Sequence, residues 1–293
     1  MTDAGEPTIP PAAAARLDEL RRRGGGFFTS DLSVAEFMLL REGGLRPLTQ
    51  VMGSCVYHVG WQQPPNLRAG RPWLSYDAGE TFELETPTEA WNAARSRALA
   101  RLREEATRAG ADAVVGVRLR RAQYSWAKDL IEFVVTGTAV RSERYDLGGE
   151  PVLSNLSGQD FAKLLRVGWW PVGLVAGTTV AYVMTGWRQR AGIGPVMPRL
   201  RNQELPDFSR GVTAARAGAL KRLEHEAHAL YAHGVVGLQI DQKQEERDSE
   251  DRQYGYTDLW VETHVLGTAI AELAPGGAQP DVYSAVALDQ EAR

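Results

Sequence analysis

The sequence predicts an α+β protein made of two tandem β-α-β-β domains, each with a small antiparallel sheet packed on a long helix. The first observation is the stretch 110–117, GADAVVGV, which ends an Ala- and Leu-striped charged segment and begins a β-branched run. This change of hydrophobic period is typical of a helix followed by a buried strand. The second observation is that the pattern recurs at 232–238, AHGVVGL, and that a Gly-Thr-Ala segment follows each copy, at 137–139 and 267–269. Recurrence of a whole unit indicates a duplicated domain.

The two copies keep fixed spacings over most of their length. Residues 155–157 match 31–33 at an offset of 124, and residues 215–227 match 94–106 at an offset of 121. The offsets change in predicted loops, where insertions are tolerated. We therefore divide the chain into a flexible N-terminal segment 1–26, a first copy 27–147, a second copy 148–272 and a flexible C-terminal tail 273–293.

Two capping patterns predict where the helices of the first copy begin. Ser33 followed by Glu36 forms a capping box, which predicts a helix of about ten residues that ends at the glycines 43–44. Thr86 followed by Glu89 forms a second one with a proline between them, and predicts a long helix that ends at Ala109. The small residues on the inner stripe of this helix favour close packing on a sheet.

Three segments of the first copy read as strands. Residues 48–59, 113–119 and 130–140 are rich in β-branched residues and bounded by turn residues. Between the first strand and the long helix, residues 60–85 form a Pro- and Gly-rich insertion with several aromatic residues. We interpret that insertion as a cover over the domain or over a neighbouring subunit.

Residues 167–187 contain no charged side chain for 21 residues, a length that could span a membrane. The matching segment of the first copy, 43–61, contains Arg46, Gln50 and His58 and reads as a strand. Four glycines and a proline in 167–187 also favour a buried strand over a spanning helix. We expect no membrane segment.

Composition excludes several broad classes. The chain has 293 residues, a net charge of −4 and 24% charged residues, so no global charge favours nucleic acid or an anionic membrane. Its single cysteine, Cys55, excludes an intrachain disulfide and a Cys-rich metal site, which is typical of the cytoplasm. Residues 1–11 lack the pattern of a signal peptide.

The stretch 110–117, the later VTGTAV at 135–140 and the preceding Ala/Arg/Glu helix resemble the YbjQ-type heavy-metal-binding domain family. The resemblance covers most of 28–145 and, more loosely, 153–272. It implies a two-layer β-α-β-β fold similar to dodecin subunits, and single-domain members that assemble into pentameric rings. The second copy departs from the motif where His233 replaces Asp112, so we expect the role of Asp112 to be lost there.

The family name implies a metal, but the residue types of this chain argue against a strong site. His225 and His228 lie one helical turn apart and could face one ion, whereas their counterparts are Glu104 and Thr107. Cys55 is the third weak candidate, and its alternation with His58 along a strand places the two on opposite faces. A solvated helix face and a small buried thiol are the simpler interpretations of these residues.

We predict a non-enzymatic, oligomeric, ring-forming scaffold or small-ligand-binding protein. No nucleophile–base, phosphate-cradling or metallohydrolase spacing is present, and no cofactor is implied beyond the alternative of a metal ion. A heavy-metal-binding protein is the second hypothesis, and an enzyme with a site between subunits is the third. The candidate ligand or interface residues are Tyr57, Asp112, Arg118 and Arg120.

The predicted partner is the chain itself. Because five is odd, two-domain chains cannot place both copies alternately in one five-membered ring, so we expect a pentamer with two stacked rings, each made of one copy. The alternative is a six-membered ring of alternating copies from three chains. A basic surface around 118–121 and an acidic one over 241–258 would distinguish the two rings, and neither nucleic acid nor membrane is an expected partner.

Overall fold

The computed structural model describes residues 9–22, 28–60, 62, 79–124, 127–144, 149–186, 204–248 and 257–272. These residues form a mixed α+β structure with two four-stranded sheets. The helices are α1 (Pro11–Arg22), α2 (Val34–Glu42), α3 (Glu85–Ala109), α4 (Gly158–Arg166) and α5 (Pro206–Ala229). The strands are β1 (Leu45–His58), β2 (Glu80–Glu83), β3 (Ala113–Tyr124), β4 (Ala127–Ser142), β5 (Val152–Leu153), β6 (Trp169–Met184), β7 (Gly234–Asp248) and β8 (Thr257–Glu272).

The same order of elements occurs in each half of the chain. Helix α2, strand β1, helix α3 and strands β3 and β4 form the first half, and α4, β6, α5, β7 and β8 follow in the same order as the second half. In each half the third strand lies between the other two, so β4 pairs with β1 and β3, and β8 pairs with β6 and β7, all antiparallel. The predicted α+β class is confirmed.

One long helix covers a face of each sheet through small residues. Ala94, Ala98, Leu102 and Ala106 of α3 are fully buried against β1 and β4. Gly53 of β1 makes this contact close, since a Cβ at that position would lie 2.1 Å from the carbonyl oxygen of Ala98. Gly177 of β6 has the same relation to Ala219 of α5, at 2.0 Å. The prediction of a small-residue stripe against a sheet is confirmed.

Each half gives a short strand to the other half's sheet. Strand β2, which precedes α3 in the chain, pairs antiparallel with β6 over Ala181–Met184. Strand β5, which precedes α4, pairs parallel with β3. The sheet orders are therefore β1-β4-β3-β5 and β2-β6-β8-β7, and the two halves are lateral neighbours. The sequence predicted neither exchange, because both short strands lie in segments that read as insertion or linker.

Helix α3 begins earlier than the predicted cap. Its N-cap residue is Leu84, which makes no side-chain cap, and Thr86 lies inside the helix and donates its N–H to Gln62 Oε1 at 2.8 Å. The predicted capping box from Thr86 to Glu89 is therefore wrong. Leu84 donates its own N–H to the carbonyl of Val180, so the pairing of β2 with β6 sets the start of the helix. The capping box of Ser33 and Glu36 is confirmed.

Strand β6 occupies the long uncharged segment and is paired along its length with β8. The prediction of a strand rather than a helix is therefore confirmed for 169–184. Among the described residues, no helix combines the length and the apolarity that crossing a bilayer requires.

Helix α1 lies within the segment predicted to be flexible. It packs on α3, where Leu17 is fully buried and Ile9, just before the helix, is 2% exposed. The tail 273–293 and most of the aromatic insertion, including Trp61, Trp73 and Tyr76, lie outside the described residues.

Candidate functional site at the junction between the halves

The outer edge of β6 is covered by side chains of α3. Thr88, Asn92 and Arg95 are spaced by four and three residues, so they share one face of the helix. Thr88 Oγ1 accepts the N–H of Val180 at 2.9 Å, and Asn92 accepts the N–H of Thr178 at 3.1 Å and donates to its carbonyl at 3.0 Å. The helix thus satisfies backbone groups that an edge strand otherwise exposes.

Arg95 ends this row and joins the two long helices. The residue is 4% exposed. Its guanidinium donates to the carbonyl of Ala176 at 3.3 Å and pairs with Glu226 of α5 at 3.0 Å. Glu226 also accepts the N–H of Ala176 at 2.8 Å. Burial lowers the pKa of Arg95, and the carboxylate of Glu226 opposes that shift. Removing Glu226 would leave the buried guanidinium uncompensated, whereas Glu226 itself, with a side chain 43% exposed, remains partly solvated without Arg95.

The parallel contact of β3 with β5 continues beyond the strands. The N–H groups of Val152 and Ser154 donate to the carbonyls of Asp112 and Val114 at 3.0 and 2.9 Å. The next part of β3 has a bulge at Gly116, with φ +63°, whose N–H donates to the carbonyl of Leu156 at 2.8 Å. Glycine adopts this left-handed conformation without strain. Strand β7 has the same bulge at Gly237, also with φ +63°.

A cluster of charged and aromatic side chains lies between the halves. Arg121 of β3 pairs with Asp241 of β7 and, at 3.5 Å, with Glu262 of β8. His264 of β8 is 8% exposed, its Nδ1 lies 3.0 Å from Thr178 Oγ1, and its ring meets Trp91 edge-to-face at 5.1 Å. The basic and acidic surfaces that the sequence predicted as separate are thus joined at this point.

Burial sets the protonation states in the cluster. It lowers the pKa of His264, an effect that the Arg121 cation increases and Glu262 opposes, so the imidazole is neutral at pH 7. Burial acts to raise the pKa of Glu262, but the hydrogen bond from Trp260 and the charge of Lys243 lower it, and the net shift is downward. His264 Nε2 and Glu262 Oε2 are 4.0 Å apart, which is too long for a hydrogen bond, and neither buried atom has a hydrogen-bond partner in the described part of the chain.

The cluster joins side chains of both halves. Burial and the Arg121 cation lower the pKa of His264, and the carboxylates of Glu262 and Asp241 oppose that shift, so the ring takes up a proton only below its ordinary pKa. Buried groups of this kind stabilise an interface when they are paired and weaken it when their charge changes.

The sequence-predicted interface residues are spread over three places. Arg118 and Arg120 are exposed on one face of β3, as their alternation predicted, and Arg118 Nη1 lies 3.5 Å from Asp31. The ring of Tyr57 lies under the guanidinium of Arg97 at 5.1 Å. Asp112 Oδ2 accepts the N–H of Ser142 at the end of β4, at 2.8 Å.

The second half keeps the role of Asp112 despite the substitution. His233 Nδ1 accepts the N–H of Glu272 at 3.0 Å, which is the counterpart of the bond from Ser142 to Asp112. The expectation that this role is lost is therefore wrong, because the Nδ1 atom of His233 supplies the acceptor that the carboxylate supplies in the first half.

The metal candidates do not converge. Cys55 is 3% exposed, and its thiol donates to the carbonyl of Val56 at 3.8 Å. His225 and His228 are exposed on α5, and His58 pairs with Asp129 at 2.9 Å. Within the part of the chain that the structure describes, no three His, Cys, Asp or Glu side chains form a group that could hold a metal ion. The described residues therefore do not fit a heavy-metal centre.

Sequence reasoning missed the residues that form the junction. His264, Glu262 and Trp91 lie in regular strand and helix patterns with no motif to mark them. The available signal was a difference between the copies, since Val134, Ser54 and Val212 stand at the positions of His264, Thr178 and Trp91. A buried polar residue in only one copy indicates an environment that the other copy lacks.

Comparisons with known proteins give one family match to part of the chain and one relative that is similar over most of its length. Residues 79–143, which span β2 to β4, match a protein family described as "Putative heavy-metal-binding". The chain is also 34% identical over 276 residues to the encapsulin nanocompartment protein Rv1762c of Mycobacterium tuberculosis (strain ATCC 25618 / H37Rv), which covers 92% of this chain and 94% of that protein. At this identity and coverage, the chain belongs to the same family as that Mycobacterium tuberculosis protein.

Proposed function

We propose that this protein is a non-enzymatic scaffold that assembles with copies of itself into a ring and serves an encapsulin-type nanocompartment. The nanocompartment in this proposal is taken from the name of the Mycobacterium tuberculosis relative. The observation that supports self-assembly is that the two outermost long strands, β1 and β7, have exposed aliphatic side chains. These are Met52 and Val56 on β1, and Leu238 and Ile240 on β7.

Open strand edges with exposed aliphatic residues favour pairing between chains, since edge strands offer unpaired backbone groups. Both halves follow the β-α-β-β order, which supports a tandem duplication of a YbjQ-like domain. A cyclic assembly would cover both edges in every copy. The cytoplasmic location and the absence of catalysis stay predictions from the sequence.

Light scattering after size-exclusion chromatography tests the proposal. We expect a mass that is a whole multiple of 32.2 kDa and does not change between about 1 and 50 μM protein, because closed rings saturate their interfaces. A monomeric mass across this range would overturn the scaffold proposal.

Heavy-metal binding is the second candidate function, and the family match over 79–143 is the observation that favours it. The described residues argue against it, since the only paired candidates, His225 and His228, are exposed on one helix turn. Calorimetric titration with zinc of the wild-type protein and of a His225→Ala, His228→Ala variant decides between the two. Binding tighter than about 1 μM that the variant loses would favour this second function.

A further inference from the structure

We propose that the junction between the two halves is the template for the contact between chains, so that the second half of one copy docks on the first half of the next. This inference deepens the proposed ring scaffold and rests on it. Inside the chain, the first half presents α3 and β3, and the second half presents β6 and the segment 152–156. The counterparts of α3 and β3 are α5 and β7 of the second half. The counterparts of β6 and segment 152–156 are β1 and segment 28–32 of the first half.

If a second copy covers the first half as α3 covers the second, apolar residues that are buried on β6 should have exposed counterparts on β1. Ala176 and Val180 of β6, which α3 covers, are 1% and 0% exposed. Their counterparts on β1, Met52 and Val56, lie 124 residues earlier and are 51% and 54% exposed. The surface that is closed in the second half is therefore open in the first.

The other side of the junction shows the same contrast. Val117 of β3 is 1% exposed where segment 152–156 crosses it, and its counterpart Leu238 of β7 is 45% exposed. On the docking helices, Ala162 of α4 is 3% exposed, and its counterpart Met38 of α2 is 53% exposed. Each half thus exposes apolar side chains at positions whose counterparts in the other half are buried by the internal junction.

Helix α5 carries the residues needed to cover an edge strand. Ser209, Thr213 and Arg216 stand 121 residues after Thr88, Asn92 and Arg95, with the same spacing. Thr213 and Arg216 are exposed. Ser209 and Arg216 can bond the backbone of a strand edge as Thr88 and Arg95 do. The Thr213 hydroxyl donates to the carbonyl of Ser209 at 2.8 Å and can still accept an N–H of the edge, which is one of the two bonds that Asn92 makes.

The acceptor for Arg216 is already in place on the first half. Glu105 of α3 accepts the N–H of Met52 at 2.9 Å, which is the counterpart of Glu226 accepting the N–H of Ala176 at 2.8 Å. In the internal junction Arg95 completes that arrangement. On the first half only Arg16 of α1 approaches the Glu105 carboxylate among the described residues, at 3.9 Å. Arg216 of a neighbouring copy would replace it.

The strand pairing can be specified residue by residue. The segment that leads into each half is anchored alike, since Thr138 Oγ1 donates to Asp31 at 2.9 Å and Thr268 Oγ1 donates to Asn155 at 2.7 Å. Phe28 and Thr29 correspond to Val152 and Leu153 of β5, and they are exposed.

In the parallel register of β5 with β3, Val152 lies opposite Ala113. The same register between copies places Phe28 of one chain opposite Gly234 of another. The Gly237 bulge would then donate its N–H to the carbonyl of Leu32, as Gly116 does to Leu156.

This contact makes the halves alternate around one ring. The stacked rings expected from the sequence require each half to meet its own kind laterally, whereas the internal junction already joins unlike halves side by side. A head-to-tail contact that closes gives a cyclic oligomer. The alternating ring, such as six domains from three chains, is therefore the favoured arrangement.

Disulfide trapping tests the register. The variant Phe28→Cys, Gly234→Cys places two thiols at opposed positions, where Cα atoms of paired strands lie about 5 Å apart and a disulfide can form. A Cβ at Gly234 is accommodated, since its nearest neighbour would be Ile270 Cγ1 at 4.0 Å. We expect mild oxidation to give a covalent series of chains on a non-reducing gel. Each single variant, which retains the native Cys55, should give none.

A charge change on α5 tests the second contact. Arg216→Glu should weaken association at least about tenfold, because it sets a carboxylate against Glu105 of the next copy. Lys221→Glu is the matched control, since Lys221 is exposed on the same helix and its counterpart Ala100 is exposed as well. We expect the control to change association less than about twofold.

The outcomes separate this inference from the scaffold proposal. A wild-type monomer would overturn both. A wild-type oligomer that gives no covalent series and assembles equally well with Arg216→Glu would overturn the docking inference alone. Covalent chains together with a selective effect of Arg216→Glu would support it.

Discussion

At the scale of single residues, backbone conformation separates the two halves at the end of their long helices. Gly110 ends α3 with φ +73°, and Tyr231 has φ +54° at the corresponding position after α5. Tyrosine pays a steric cost in this region that glycine avoids. Because Tyr231 is 88% exposed, its ring contributes little burial in return.

We predict that Tyr231→Gly stabilises the protein. The expected gain in the free energy of unfolding is about 0.5–1 kcal/mol, since relief of left-handed strain exceeds the entropy cost of glycine. Urea unfolding at a fixed protein concentration measures it. The control is Tyr231→Ala, which removes the ring and keeps the strain. If alanine stabilises as much as glycine, strain is not the cause.

His264 gives the junction a predictable pH dependence. Its pKa is lowered in the folded protein, so below about pH 6.5 the unfolded chain binds a proton that the folded chain does not. Stability therefore falls as the pH falls. The pKa values of Glu262 and Asp241 are also lowered, and their stabilising effect is lost only below about pH 4.

We predict that the wild-type melting temperature falls more between pH 7.5 and 5.5 than that of His264→Asn. Asparagine can keep the bond to Thr178 and has no charge to gain. The unfolded-state pKa of about 6.5 limits the difference to at most about 1 kcal/mol, or about 2–4 °C for a chain of this size. Thermal melts of both proteins across this range measure it, and parallel pH profiles would refute the role of His264.

At the scale of elements, the sequence predicts the long strands and helices but not the two short strands that pair with the other half's sheet. The packing of α3 on β6 shows why. Periodicity placed α3, β3, β4 and β6 within a few residues, because burial on one face imposes it. The exchange of β2 and β5 depends on hydrogen bonds from side chains such as Asn92, which leave no periodic trace. The same limit hid His264, whereas Arg118 and Arg120 were placed correctly by simple alternation.

We predict that Arg95→Met destabilises the protein by about 2 kcal/mol. The change leaves the buried carbonyl of Ala176 without its donor and removes the partner of the half-exposed Glu226. Denaturant unfolding at constant protein concentration measures the loss. Arg166→Met is the control, since it breaks only a surface pair with Glu42 at 3.8 Å and should cost less than about 0.5 kcal/mol. Equal effects of the two variants would contradict the assigned role of Arg95.

At the scale of the whole molecule, the described halves share several buried apolar clusters. Separate clusters of buried aliphatic residues lie under α3, between α2 and α4, and under α5. We predict that excess chelator leaves the melting temperature unchanged, because no described group of ligands contributes to these cores. Melts with and without chelator measure this. A fall of more than about 5 °C, on the order of 1 kcal/mol or more, would show that folding requires a metal.

In the proposed ring, copies of the chain join as the two halves join. A cryo-electron microscopy reconstruction of the purified full-length assembly would show this arrangement. We expect one layer in which first and second halves alternate, with α5 of each chain on β1 of the next and residues 28–29 beside β7. Two stacked layers, each made of one kind of half, would contradict it.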